Sequence, residues 1–351
     1  MFTVNRDFLR NWNGIICGTS KSKTTYCMKK DIMNQLNDSN KVFLVDLDGS
    51  YKSFIKEFDD NSVQIIDFNN DASINPFDLP FDFNSFDELA LNDVIFYKAD
   101  FANYLFEELL PKSTLTAMQK SLLDSYINYL YKKNTGKMPT LSDLFDELFL
   151  CPKLDAAGLN IVLEEFLEST DSLFNKKTNL LVNDKLTIFD LSEIDNKYKI
   201  VVAFIVLEYI WNYTKKSVIK RHTSNSFISI QTYLCGFDNY DFNVDYVNML
   251  FKCSRKYASG FTYITNNISK KYKNNEKFLW NVLNCCTLYV FTKQSQNDYE
   301  FLLQIIPELQ QYESYLKYEN NCGVLYCCSK NLRYSKYSTF SIIDIKKESD
   351  V

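Results

Sequence analysis

The chain of 351 residues has one histidine, His222. That excludes metal sites built on several imidazoles, together with Ser-His and Cys-His nucleophile systems. Its ten cysteines nowhere adopt the C-x-x-C spacing of metal or redox motifs. Two pairs are adjacent, Cys285–Cys286 and Cys327–Cys328, in runs that read as apolar strands ("NCCTLYVF", "GVLYCCS"), where thiols act as small hydrophobes. Such usage fits a reduced, intracellular protein. No basic excess is present: the net charge is −5 and the pI near 5.2, so global electrostatics give no argument for nucleic acid. Local clusters at Lys215, Lys216, Lys220 and Arg221, and at Lys270, Lys271 and Lys273, read as solvated helix ends. Long apolar runs are missing as well. The longest, Ile200 to Leu207, falls far short of the roughly 18 residues that span a bilayer. The opening "MFTVNRDFLRNWNG" lacks the apolar core of a signal peptide. A cytoplasmic chain is therefore expected, reaching the inner face of a membrane only through partners. No internal repeat or low-complexity tract stands out.

Apolar residues are plentiful at 46% of the chain, ample for a core in one large domain or two ordinary ones. Short continuous apolar segments recur at Gly14–Cys17, Lys41–Val45, Ser62–Ile66, Leu186–Phe189, Phe227–Ile230, Phe261–Ile264, Thr287–Phe291 and Gly323–Cys327. Helical patterns separate most of them. The alternation predicts an α/β fold, a parallel or mixed sheet with helices on both faces. Between about Ser85 and Asn179 the strands stop, and helical patterns such as "TAMQKSLLDSYINYLYKK" and "LSDLFDELF" take over, punctuated by Pro111, Gly136, Pro139 and Pro152. This reads as an all-helical insertion, dividing the chain into 1–84, 85–180 and 181–351.

"GIICGTSKSKTTYCMKKDI", Gly14 to Ile32, places an apolar strand, a short loop and a helix in the order of a nucleotide-binding loop. That loop reads G-x-x-x-x-G-K-[ST], with backbone N–H groups around the phosphates, a Lys on them and a hydroxyl on Mg²⁺. Here Gly18 is the loop's sole glycine. Aligned without gaps, Lys21 and Lys23 replace the internal glycines while Thr24 and Thr25 take the Lys and Ser/Thr places; deleting one residue puts Lys23 and Thr24 on the K-[ST] pair. Neither alignment restores the glycines that permit positive φ and close approach to phosphate. The candidate nucleotide-binding residues are Gly18, Thr19, Ser20, Lys21, Ser22, Lys23, Thr24 and Thr25. ATP and Mg²⁺ are expected to bind weakly or in another way, and an ordinary strand–helix connection is the competing reading.

Two further stretches end strands. In "VFLVDLDGSYKSFIKEF" Asp46 and Asp48 lie at the carboxyl end of a strand, where open α/β sheets bind ligands. Two carboxylates there could hold a metal or cap the following helix; capping is preferred, and no metal site is assigned. In "SFISIQTYLCGF" the strand is read as ending in Gln231 and Thr232, where P-loop ATPases place acids that assist Mg²⁺ and polarise water.

In order along the chain, these stretches resemble the motor domain of conjugative-transfer ATPases of type IV secretion systems, relatives of the FtsK and HerA pumping ATPases. The family's L-I-L-G-T-S-G-S-G-K-S is matched by "IICGTSKSKTT", its V-I-I-D-P-E-G-E-Y by "VFLVDLDGSY", and its N-P-F-D by "INPFDL", Ile74 to Leu79. After the helical insertion comes "LTIFDLSEIDNKYKIVVAFIVLEYIWN"; the I-D-E-A strand corresponds to "ISIQTYL", and R-K-Y-G-G followed by a strand ending T-Q-N is echoed by "SRKYASGFTYITNN". The resemblance implies a RecA-like P-loop sheet. Departures fall on the chemistry: the loop glycines are lost, the Asp-Glu pair is Gln231-Thr232, and the glutamine of T-Q-N is Asn266. Family members usually carry a domain before the motor, whereas this chain begins almost at the loop.

Scaffold words kept while catalytic letters are lost imply a pseudo-ATPase, a structural or regulatory subunit of a conjugation or secretion apparatus. The resemblance implies ring assembly, with copies of itself or with an active paralogue on whose nucleotide Arg255 would act in trans; an ordinary surface arginine is the bland reading. Two alternatives stay open: an active ATPase in which Lys21 or Lys23 reaches the phosphates and Asp46 or Asp48 replaces the missing acids, and a mobile-element protein using the fold for protein contacts alone. Nucleic-acid binding has no support in the sequence.

Overall fold

Strands whose every residue is buried build the centre of this protein. The computed structural model describes residues 6, 9, 11–59, 62–68, 72–81, 88–110, 114–133, 137–170, 173–182, 185–223, 229–270, 276–319, 322–330 and 336–345; of these, the side chains of 88–90, 219–223, 276–280, 328–330, 336–340 and 344 are not described. In chain order the main elements are β1 (Gly14–Cys17), α1 (Lys21–Asn37), β2 (Lys41–Asp46), β3 (Val63–Asp67), α2 (Glu88–Leu109), α3 (Ala117–Lys133), α4 (Leu141–Leu150) and α5 (Leu154–Ser169). Then follow β4 (Leu186–Asp190), α6 (Lys199–Thr223), β5 (Ile230–Cys235), α7 (Val244–Cys253), β6 (Ser259–Thr265), α8 (Glu276–Cys285), β7 (Leu288–Phe291), α9 (Gln296–Ile305), α10 (Glu313–Lys317), β8 (Cys322–Lys330) and β9 (Lys336–Asp344).

Among the described residues the strands form a nine-stranded sheet in the order β3-β4-β2-β5-β6-β1-β7-β8-β9. β1 runs parallel to β6 and β7, and β5 parallel to β2 and β6; β8 and β9 close one side as an antiparallel hairpin. The expected mixed α/β sheet flanked by helices is the observed one. Its central strands read as unbroken apolar runs because both faces are covered. From α1, Cys27, Met28 and Ile32 enter the same core as Ile16, Val42, Leu44, Tyr233, Ile264 and Val290. Met28 and Ile32 are fully buried, each stabilising by about 1.5–3 kcal/mol. The helix also buries polar residues, which need partners. Asp31 finds them in the Arg6 guanidinium and in the Tyr233 hydroxyl at 2.8 Å, and Lys29 pairs with Glu57.

The chain divides into two compact units, one of Met1–Ile65, Asn183–Phe189 and Ser226–Val351, the other of Ile66–Val182 and Asp190–Asn225. The first holds β1, β2 and β5 to β9. The second holds α2 to α6, and the N-P-F-D motif organises it. Asn75 Oδ1 accepts the Phe77 N–H at 3.1 Å, while its amide nitrogen donates to Asp78 and to the Pro139 carbonyl. Lys98 Nζ on α2 donates to the Pro76 carbonyl at 3.1 Å, the Tyr131 hydroxyl on α3 to the Phe77 carbonyl, and Asn212 on α6 to the Asp78 carbonyl at 2.9 Å. One tetrapeptide thus gathers three helices. Lys98 also pairs with Glu208 of α6 at 2.6 Å, with both side chains buried.

Several strand limits differ from those read in the sequence. β5 spans Ile230–Cys235, not Phe227–Ile230, and 227–228 lie outside the described residues. Gln231 and Thr232, two polar side chains, lie within the strand and not at its end. Cys285 closes α8 and Cys286 follows it, so that pair is not in a strand, whereas Cys327 and Cys328 do lie in β8. Lys215 belongs to α6, and its ammonium stands 3.8 Å from the Tyr97 ring centroid, a cation–π contact rather than a merely solvated end. Lys271 and Lys273 lie outside the described residues. Among the described residues no helix is long and apolar enough to cross a membrane.

Candidate functional site

The loop between β1 and α1 is only Gly18, Thr19 and Ser20, because the helix already starts at Lys21. Two of its N–H groups are engaged by carbonyls outside the loop. The Gly18 N–H donates to the Thr265 carbonyl at 3.2 Å, and the Thr19 N–H to the Lys293 carbonyl at 2.9 Å. Ser20 caps the helix through its backbone alone: its carbonyl accepts the N–H groups of Lys23 and Thr24, both at 3.0 Å, and its side chain makes no cap bond. A phosphate cradle needs successive inward-facing N–H groups. Here those of Gly18, Thr19, Lys23 and Thr24 point elsewhere, and the orphan donors of the first helical turn are those of Lys21 and Ser22.

The side chains follow the same logic. Lys21 Nζ reaches across to Asp48 Oδ2 at 2.6 Å instead of lying over the loop. Lys23 is partly buried near Lys293, and burial followed by that like charge pulls its pKa below the ordinary value. Thr24 is buried with its hydroxyl oxygen 2.9 Å from Asn266 Oδ1, so the structure brings two of the predicted site residues together. Asn266 is fixed by its own N–H, which donates to Asp238 Oδ2 at 2.8 Å, while the Tyr263 hydroxyl donates to Asp238 Oδ1. Asp238 escaped the sequence reading; an acid just past a strand and a glycine, in "LCGFDN", is the signal that could have found it.

Asp46 closes β2 and is fully buried. Its two oxygens accept the N–H groups of Asp48 at 3.2 Å and Tyr51 at 2.8 Å, which ties down the turn after β2, while Gly49 and not an acid is the cap residue of the short helix Ser50–Ser53. Burial, then the neighbouring Asp48 carboxylate, push its pKa up to about 7. Burial acts upward on Asp48 too, but hydrogen bonds from Lys21 and Ser50 outweigh it and hold that carboxyl below its usual value. Thr25 and Ser22 join Lys21, Tyr26, Lys29, Asp48 and the Gly49–Glu57 segment in lining a cavity of about 780 Å³ alongside the first turns of α1.

Gln231 and Thr232 lie elsewhere. The strand continues past Thr232 to Cys235, which pairs in register with Asp46, so the carboxyl end carries a thiol. Gln231 is 1% exposed and donates to Thr262 Oγ1 at 2.9 Å, a bond inside the sheet core. Arg255 is exposed in the turn Ser254–Tyr257 that leads into β6, whereas Asn266 follows that strand's other end. Seven extended residues separate the two by roughly 20 Å, so Arg255 is remote from the loop of its own chain.

No protein-family model matches the chain, and no curated protein matches it. Solved structures do. VirB4 of Thermoanaerobacter pseudethanolicus superposes with a TM-score of 0.71 at 15% identity, over 91% of this chain and 87% of that one. The plasmid coupling protein TrwB in complex with the GTP analogue GDPNP gives 0.59 at 8% identity, over 95% of this chain and 86% of that one. TrwB in complex with ADP and Mg²⁺ gives 0.52 at 11% identity, over 95% and 78%. The RecA-like P-loop sheet implied by the sequence resemblance is therefore the fold of this chain.

Proposed function

We propose that this chain is a P-loop-fold subunit of a conjugation or type IV secretion apparatus in which ATP hydrolysis is impaired, serving a structural or regulatory role. One observation carries the reading: the Gly18 and Thr19 N–H groups are hydrogen-bonded to the Thr265 and Lys293 carbonyls, those of Lys23 and Thr24 to the Ser20 carbonyl, and Lys21 is held on Asp48. Removing one preorganised electrostatic group from such a site costs on the order of 10²–10³ in rate, so several losses leave negligible turnover. The likeness to VirB4 and TrwB supports the setting, and the TrwB complexes with nucleotide make ATP and Mg²⁺ the ligands to try. Ring assembly with an active paralogue, with Arg255 facing a neighbour, is the partner arrangement proposed. It places the chain at the inner face of the membrane through its partners.

A second reading has its own observation, since Lys21, Thr25 and Asp48 line one cavity. In it they form an atypical ATP site. Titrating the purified chain with Mg²⁺-ATP and measuring phosphate release separates the two. The first expects no saturable release, and a change in the paralogue's rate when the chains are mixed. Saturable release that Lys21→Ala abolishes would establish the second instead.

A further inference from the structure

The carboxyl ends of β2 and β5 bring together three side chains of a kind that the loop chemistry does not use. Asp46 and Cys235 are register partners on adjacent parallel strands, and Asp48 comes from the turn that follows β2. One ligand atom from each lies within 4.8 Å of the others, the trio with metal-ligand chemistry among the described residues. Asp46 and Cys235 are more than nine-tenths buried, and Cys235 Sγ approaches Asp48 Oδ1 at 4.0 Å. The two oxygens of Asp48 are divided: Oδ1 faces Cys235 and Ser50, whereas Oδ2 faces Lys21. A cation on Oδ1 therefore leaves the ion pair with Lys21 in place.

Access is a separate observation. Asp48 and Ser50 also line the 780 Å³ cavity beside α1, so the trio sits just behind its wall and an incoming ion has a way in. Donor type then sets the ion. Two carboxylates and a thiol suit a borderline-soft cation such as Zn²⁺ or Co²⁺, whereas Mg²⁺ demands an octahedron of oxygens. A tetrahedral ion at about 2.1 Å from oxygen and 2.3 Å from sulfur needs donors roughly 3.5 Å apart. The Cys235–Asp48 separation must shrink by about 0.5 Å and no pair of donors by more than about 1.3 Å, within the reach of side-chain rotations.

We propose that Asp46, Asp48 and Cys235 form a binding site for a thiophilic divalent cation of the Zn²⁺ type, with its fourth position turned toward the cavity. On binding, the Cys235 S–H bond and any Asp46 O–H bond break, sulfur–metal and oxygen–metal bonds form and the protons leave to solvent; no electron is transferred. The site needs no nucleotide, so it stands or falls apart from the ATPase question.

The test uses the full chain, stripped with chelator under reducing conditions and titrated with Zn²⁺ by calorimetry and with Co²⁺ by absorption. Stoichiometric Co²⁺ should give a near-ultraviolet thiolate-to-cobalt charge-transfer band. Cys235→Ala should abolish the band and weaken Zn²⁺ at least roughly tenfold, the loss typical of disturbing even a ligand's support. Asp48→Asn should weaken Zn²⁺ while retaining the band. No band in the wild type, or an undiminished band in a folded Cys235→Ala, overturns the assignment. Should Cys235→Ala fail to fold, unchanged Zn²⁺ affinity in Asp48→Asn overturns it equally.

Discussion

Gly18 is the one glycine in the loop, and its role can be separated from phosphate binding by substitution. Among the described glycines, positive φ occurs at Gly49 and Gly236 and not at Gly18, so alanine is conformationally allowed there. What alanine meets is Thr292. A Cβ at Gly18 would overlap Thr292 Oγ1, stand 2.9 Å from Thr292 Cβ and 3.3 Å from the Lys293 carbonyl. Rotating Thr292 relieves the first contact, since its hydroxyl is buried without a hydrogen-bond partner, but leaves the second untouched. Overpacking of this kind costs about 1–3 kcal/mol, whereas replacing glycine stabilises through the unfolded chain by only about 0.4–1 kcal/mol. Gly18→Ala should therefore destabilise the nucleotide-free chain by about 1–2 kcal/mol. Urea unfolding followed by circular dichroism, with no ATP present, measures it. Thr292→Gly in the same chain, which removes the Thr292 Cβ as well as its hydroxyl, should recover about 1 kcal/mol as a coupling between the two sites. A Gly18→Ala variant as stable as the wild type would refute the close approach and leave a ligand as the reason for the glycine.

Removing one partner of the buried Lys98–Glu208 pair strands the other, so Lys98→Met should cost about 3–5 kcal/mol in chemical unfolding, while Lys98→Met combined with Glu208→Leu should recover most of it. Equal losses in the single and double variants would contradict the pairing. Asp46 has a folded-state pKa of about 7 against 3.8 unfolded, so it binds its proton more tightly when folded. Its contribution is fully present below about pH 4 and is lost as the pH rises through about 7. With chelator present, Asp46→Asn should flatten the fall in unfolding midpoint across that window; parallel profiles would show that the carboxyl is not raised. The half-exposed Lys21–Asp48 pair should contribute no more than about 1 kcal/mol, so Lys21→Met should leave the urea midpoint nearly unchanged at low and high salt alike.

The fold was legible because its central strands are short, apolar and continuous, a pattern that buried parallel strands produce and little else does. The helices from α2 to α5 were legible from period and breakers, and Thr140 with Asp143 even supplies a capping box at the start of α4. The extent of β5 was not, since Gln231 looks like a strand end until its partner Thr262 on β6 is known. Pairings of this range depend on register, which local sequence does not carry. For the same reason Thr24 beside Asn266, Lys21 across from Asp48 and Cys235 level with Asp46 are properties of the assembled sheet.

The family words that remain in the chain share a property once their contacts are known. Gly18 fits against Thr292, and N-P-F-D fastens α2, α3 and α6. Each is tied to packing or to hydrogen bonds within the protein, so losing any of them leaves a clash or an unpaired buried group, whether or not a nucleotide is ever present. The words that differ are of the other kind. Glycines in a phosphate cradle and acids at a strand end make their best contacts with a ligand, and replacing them costs the empty fold little. Lysines at positions 21 and 23 extend α1 toward β1, and the thiol at 235 packs in the core. On the proposed reading, a chain that needs the architecture more than the hydrolysis keeps words of the first kind and can lose those of the second.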